Sequence, residues 1–195
     1  MLVDGFRPVI NENGPLQYER GIIGNTITLT VGDAVKITPD TGGSYIEPAD
    51  ATDDNVYGVL VDLVDKDGFS YKTKTSNFDG TYTEAADGDT YVSASDNLTV
   101  KKVQARVCLA QGTIFSAKLD AAAGTTTGSD KIGIFFDILT SDSTSLDESS
   151  VSATKATYQS VSTGLGSDSP VDPMYPGSTT RIHVKVIEVS RYQAQ

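Results

Sequence analysis

Two stretches of this chain nearly repeat each other: Asn55-Val56-Tyr57-Gly58-Val59-Leu60-Val61-Asp62-Leu63-Val64 and Asp130-Lys131-Ile132-Gly133-Ile134-Phe135-Phe136-Asp137-Ile138-Leu139. A shorter echo precedes each, Gly32-Asp33-Ala34-Val35-Lys36-Ile37 before the first and Gly112-Thr113-Ile114-Phe115-Ser116-Ala117 before the second. Both halves therefore run glycine, short strand, polar loop, then an apolar strand entered through glycine. A unit used twice signals a supersecondary motif with too little apolar surface to bury alone. The repeat predicts that residues 55–64 and 130–139 are equivalent core strands, with Gly58 and Gly133 at corresponding turns or bulges.

The rest of the chain has the rhythm of a β protein. Ile27, Leu29 and Val31 alternate with Thr26, Thr28 and Thr30, the pattern of a half-buried strand. Gly58–Val64 meets the turn sequence Asp65-Lys66-Asp67-Gly68 and returns as Phe69–Thr75, a predicted hairpin. Asp79-Gly80 and Asp87-Gly88 continue the turn spacing of an all-β sandwich or barrel. Helix signals are scarce, because Gly124 and its following threonines stop the Ala/Leu run at 117–123. Half of the 30 residues from Thr140 to Ser169 are Ser or Thr, which predicts a long surface excursion with one strand near Tyr158–Ser162. A final strand, Arg181–Val189, sets Ile182, Val184 and Val186 on one face. The expected fold is all-β, a small β-barrel or sandwich. Residues 1–20 form an extended N-terminal arm, 21–139 a β domain with two related strand-loop-strand units, and 140–195 the Ser/Thr-rich excursion and closing strand.

Charge and sulfur narrow the function. A net charge of −11 over 195 residues opposes binding to nucleic acid or to an anionic membrane surface, since both require clustered Lys and Arg. Apolar runs are too short and too often broken by Asp to span a bilayer as helices. Cys108 is the only cysteine, so no intrachain disulfide forms and folding in a reducing cytoplasm is expected. The opening Met1–Pro8 lacks both a basic region and an apolar region, so no secretory signal is expected.

No catalytic signature accompanies the repeat. His183, the only histidine, falls on the outward face of the last strand between Arg181 and Lys185 and is expected to be solvated. Cys108 sits in an apolar strand and reads as an inert buried thiol. One Cys and one His cannot make a zinc site. Phosphate-loop and nucleophile-elbow motifs are absent. Asp50–Asn55 and Asp65–Gly68 offer oxygen ligands but do not meet the calcium-loop spacing. Asn97-Leu98-Thr99 matches a glycosylation acceptor by chance. The expectation is a protein that is not an enzyme and holds no cofactor or metal.

With Gly32-Asp33-Ala34-Val35-Lys36-Ile37, Asn55–Asp62 and the N-terminal arm in view, the chain resembles the head decoration (cement) proteins of tailed bacteriophages over residues 21–139. That resemblance implies a small β-rich structural protein of the virion. Its partner would be the major capsid protein on the outside of the lattice, and it would often assemble as a homo-oligomer, a trimer by preference. The arm is the expected contact: Leu2, Phe6, Arg7, Val9 and Ile10 have no periodic element to bury them and form a candidate partner-binding surface. The rival reading is a carbohydrate-binding or adhesive β-module of a phage tail or cell surface. It is weakened by the absence of Trp, although nine Tyr remain.

Overall fold

The computed structural model describes residues 5–41, 43–50, 56–65, 67, 75–76, 82–83, 90–101, 103–119, 135–139, 142–152, 158–160 and 181–187. Their strands are β1 (Arg7–Asn11), β2 (Tyr18–Ile22), β3 (Thr28–Thr30), β4 (Ala34–Asp40), β5 (Gly43–Pro48), β6 (Gly58–Asp65), β7 (Thr75–Ser76), β8 (Tyr82–Thr83), β9 (Thr90–Val92), β10 (Val103–Leu109), β11 (Thr113–Leu119), β12 (Phe135–Leu139), β13 (Asp142–Ser152), β14 (Tyr158–Ser160) and β15 (Arg181–Val186). Helix α1 is the single turn Asn97–Val100. None of the described helices is long and apolar enough to cross a membrane.

A five-stranded sheet in the order β2-β10-β6-β4-β5 carries the first repeat unit. Its end strands meet where Ile23, just past β2, bridges Ile46 of β5, and Gly24 N–H donates to the Ile46 carbonyl at 3.3 Å. Inside lie Ile23, Leu29, Val35, Ile46, Tyr57, Leu60, Leu63, Val103, Ala105 and Val107. Leu60 and Leu63 share this core despite a spacing that would put them on opposite faces of a regular strand. The pairing with β10 jumps from Arg106↔Asp62 to Val107↔Leu60, so Val61 is a bulge that restores the alternation. Asn97 closes one end of this core: its amide donates to the carbonyls of Ile23 (2.8 Å) and Val103 (3.2 Å).

A six-stranded sheet carries the second repeat unit and closes on itself. Strand β11 pairs with β13 in parallel at Lys118–Leu119 and with β15 antiparallel along Ile114–Lys118. The circuit β11-β13-β12-β14-β15 therefore returns to β11 as a small barrel. Strand β1 covers the remaining edge of β11. The barrel core contains Phe115, Ala117, Leu119, Phe136, Ile138, Leu146, Tyr158, Ile182, Val184 and Val186, and the same cluster takes in Ala34, Val59 and Cys108 from the five-stranded sheet. At Ala34-Val35, Val59-Leu60 and Val107-Cys108 successive side chains thus enter different cores. Burial on both faces explains an unbroken apolar run where a one-sided strand would alternate. Gly58 starts β6 because a Cβ there would strike the Cys108 carbonyl oxygen and Val107.

The two units agree in their turns and differ in their pairing. Gly32 (φ 103°) and Gly112 (φ 69°) each occupy the third position of a four-residue turn, closed by Asp33 N–H to the Thr30 carbonyl (2.9 Å) and Thr113 N–H to the Ala110 carbonyl (3.1 Å). Positive φ at that position favours glycine. In the first unit β4 and β6 are direct neighbours, Ala34↔Val59, whereas β13 separates β11 from β12 in the second. Residues 130–134, Gly133 among them, and residues 68–74, the Gly68 turn position with the expected return limb Phe69–Thr75 except Thr75, lie outside the described residues.

Three features go beyond what the sequence shows. Residues 7–11 and 18–22 form two strands, one in each sheet. Phe6 is 1% exposed and its ring stacks on Tyr158, centroids 5.1 Å apart. Apolar residues without a period are still buried when a strand edge accepts their backbone. Within Thr140–Ser169, β13 joins the barrel and buries Leu146 and Ser145, while the expected strand near Tyr158 is present at 158–160. The outward face of β15 also proves to be covered: His183 is 2% exposed.

Phe6→Ala is expected to lower stability by about 3–5 kcal/mol, the range for emptying a buried aromatic site. Urea denaturation measures it, and a loss under about 0.5 kcal/mol, typical of surface positions, would separate the N-terminal segment from the core. Tyr158 provides the converse test. Its hydroxyl is buried with no hydrogen-bond partner among the described residues, and burial pushes its pKa up. Tyr158→Phe is expected to leave stability unchanged or raise it by about 1–2 kcal/mol, since an unsatisfied buried hydroxyl costs about that much.

Candidate functional site

The residues with catalytic potential are occupied structurally. Cys108 is fully buried, and desolvation pushes its thiol from 9.0 up to about 11, with the Thr113 side chain pulling the other way. His183 shares a row with Ser116 and Arg7 on the barrel's outer face. Next to it, buried Arg181 donates through Nη2 to the Gly5 carbonyl (2.7 Å) and the Ser116 carbonyl (3.1 Å), and through Nε to Ser116 Oγ (3.1 Å). These charge-assisted bonds tie the N-terminal segment to β15 across almost the whole chain length. The Asn97 side chain is 0% exposed and caps two strands, so the acceptor motif serves packing. Asp67 N–H donates to Asp65 Oδ1 at 2.9 Å, a local bond of the Asx type. Residues 51–55 lie outside the described residues, and among those described no group of His, Cys, Asp and Glu could hold a metal ion.

The candidate partner-binding residues are spread by β1. Phe6 is in the core, Arg7 and Val9 are half-buried, and Ile10 is 46% exposed. Leu2 lies outside the described residues. The pairing with β11 shifts register between Pro8 and Ile10, a bulge that turns the strand there. Asn11 anchors the strand's end, its amide donating to the Gln111 carbonyl (2.9 Å) and Thr113 Oγ1 (3.0 Å). The Glu12–Lys185 ion pair (3.1 Å) joins the following turn to β15. In strand order β1 is the outermost member of its sheet among the described residues.

One concavity was not foreseen from sequence. A cleft of about 270 Å³ opens beside β2, lined by Glu19, Arg20, Gly21, Ile22, Ile37, Ser44, Tyr45, Ile46 and Tyr57. Glu19 and Gly21 pair with Val107 and Ala105, so they point toward the same core as those residues. Gly21 leaves its space to Ile46, whose Cγ1 would lie 2.5 Å from an added Cβ. The cleft is thus the open end of the five-stranded sheet's interior. The Tyr57 hydroxyl donates to Glu19 Oε2 at its rim. A buried ring with its hydroxyl at the wet end suits tyrosine. Nothing in the local sequence marks this site, because Glu19 and Tyr57 are 38 residues apart.

Native Cys108 is expected to resist a thiol reagent at pH 8 and to react only on denaturation. Its raised pKa favours the protonated thiol in the fold, so the associated stability is complete below about pH 9 and is lost as pH rises through about 11. The urea midpoint should fall across that window more steeply for the native chain than for Cys108→Ala, and equal slopes would refute the assignment.

No family model, curated protein or solved structure matches the chain, so its own residues carry the functional reading.

Proposed function

We propose that this protein is a structural accessory protein of a phage virion that binds the outside of the capsid lattice, contacts the major capsid protein and stabilises the shell, with self-association into a trimer. The observation that carries this reading is the outer edge of β1, a rim strand with Ile10 46% exposed, anchored at both ends by Arg181 on Gly5 and by Asn11 on Gln111. An edge strand lends its backbone to a neighbouring chain while exposed side chains choose the partner. The anchors matter as much as the edge, because a strand already ordered loses little entropy when it docks. The Gly-Asp-Ala-Val-Lys-Ile and Asn-Val-Tyr-Gly-Val-Leu-Val-Asp motifs add support through their resemblance to cement proteins. The acidic charge keeps such a surface from trapping DNA.

Co-sedimentation with expanded capsids of tailed phages tests the proposal. Wild type is expected to pellet with capsids and to raise their thermal stability, whereas Ile10→Lys, folded with an unchanged Tm, is expected to bind at least about tenfold more weakly. Absence of capsid binding by wild type, together with saturable binding on a glycan array, would replace this reading with that of an adhesive module.

A further inference from the structure

The cleft at the end of the five-stranded sheet has a chemistry of its own, separate from β1. Its walls are Ile37, Ile46 and the bare backbone of Gly21, and Ser44 sits at its side. One carboxylate, Glu19, lies on the cleft side of β2 by strand alternation and is exposed at the rim. Among the described residues the recorded partner of that carboxylate is the Tyr57 hydroxyl, which engages Oε2 and leaves Oε1 as an open acceptor. The neighbouring cations do not neutralise it. Arg20 alternates to the opposite face in register with Arg106, and Lys36 is paired with Glu47 at 3.5 Å on the outer face of β4 and β5.

We propose that this cleft binds a primary alkylammonium group, its unbranched stem lying along Ile37 and Ile46 and its ammonium on Glu19 Oε1. Open ends of β-barrels are favoured ligand sites, and an apolar wall with one convergent polar group sets the orientation of a small ligand. Only Tyr45 offers a partly exposed ring among the lining residues, since the Tyr57 ring is buried in the core, and the apolar wall of Ile37 and Ile46 suits an alkyl stem better than a sugar. An anion would meet the carboxylate and a protein of net charge −11. For a cation both act in the same direction, the near charge by contact and the far ones by steering. The Tyr57 hydroxyl holds Glu19 in place, so the carboxylate is oriented before the ligand arrives. This assignment stands whether or not the chain binds capsids.

The test is a titration of the isotope-labelled full chain with n-butylammonium chloride, followed by amide chemical shifts. Saturable shifts confined to β2, β5, Ile37 of β4 and Tyr57, with Kd on the order of 1 mM, are expected. Glu19→Gln, which keeps an acceptor for Tyr57, is expected to weaken binding about tenfold, and n-butanol is expected to bind wild type equally weakly. A blocked lysine, Nα-acetyl-lysine N-methylamide, separates the sources. Binding as tight as that of butylammonium assigns the site to a lysine side chain of another chain, and binding of butylammonium alone assigns it to a free amine. Butanol binding wild type as well as butylammonium does, or shifts that never saturate, would overturn the proposal without reference to any variant.

Discussion

Burial of β4, β6 and β10 on both faces constrains everything else in this chain. Ala34, Val59 and Cys108 enter the barrel's core while Val35, Leu60 and Val107, one residue along each strand, enter the other. Sheet alternation makes this wall intolerant of register change, because a slip of one residue would exchange every side chain between cores of different shape. The Val61 bulge shows how the requirement is met: it absorbs one residue so that Leu63 rejoins Leu60. Asp33 fastens the wall from its edge, accepting from Thr30 N–H (2.6 Å) through Oδ2 and from Ser143 Oγ on β13 (2.9 Å) through Oδ1. A chain of this length could have folded as two independent β units. Here the wall and its buried polar ties join them.

The all-β class and barrel geometry were legible because glycine turns and apolar runs are local signals. Gly32 and Gly112 announce the same turn in both halves, and the run through Val59 and Leu60 announces a strand buried on two sides. Local signals do not specify which strands become neighbours. The parallel insertion of β13 between β11 and β12 depends on contacts of Lys118 and Leu119 with Ser145 and Leu146, and residues that are mostly Ser and Thr conceal it. His183 illustrates a related limit. Alternation correctly assigns it to the barrel's outer face, yet it is 2% exposed there, where alternation alone predicts a solvated side chain. The N-terminal strands escaped notice for the same reason: hydrogen bonding to β11 and β10 orders them without apolar periodicity.

The two candidate surfaces draw on different physics. At β1 the resource is an ordered backbone edge with one exposed apolar side chain. At the cleft it is a single carboxylate held by a tyrosine over apolar walls. Both sit on strands anchored in the cores, so each is presented with little freedom to lose on binding. In the proposed role on a capsid this rigidity is useful, since Phe6 and Arg181 tie the N-terminal segment to the barrel and the shared wall ties the barrel to the second sheet.

The shared wall is most directly tested by native-state hydrogen exchange as a function of denaturant. If the two cores form one cooperative unit, the slowest amides of β6 and β10 and those of β11 and β15 will open with the same free energy and the same denaturant dependence, that of global unfolding. Barrel amides that exchange through a separate opening, at lower free energy and with a shallower denaturant dependence while β6 stays protected, would contradict the account.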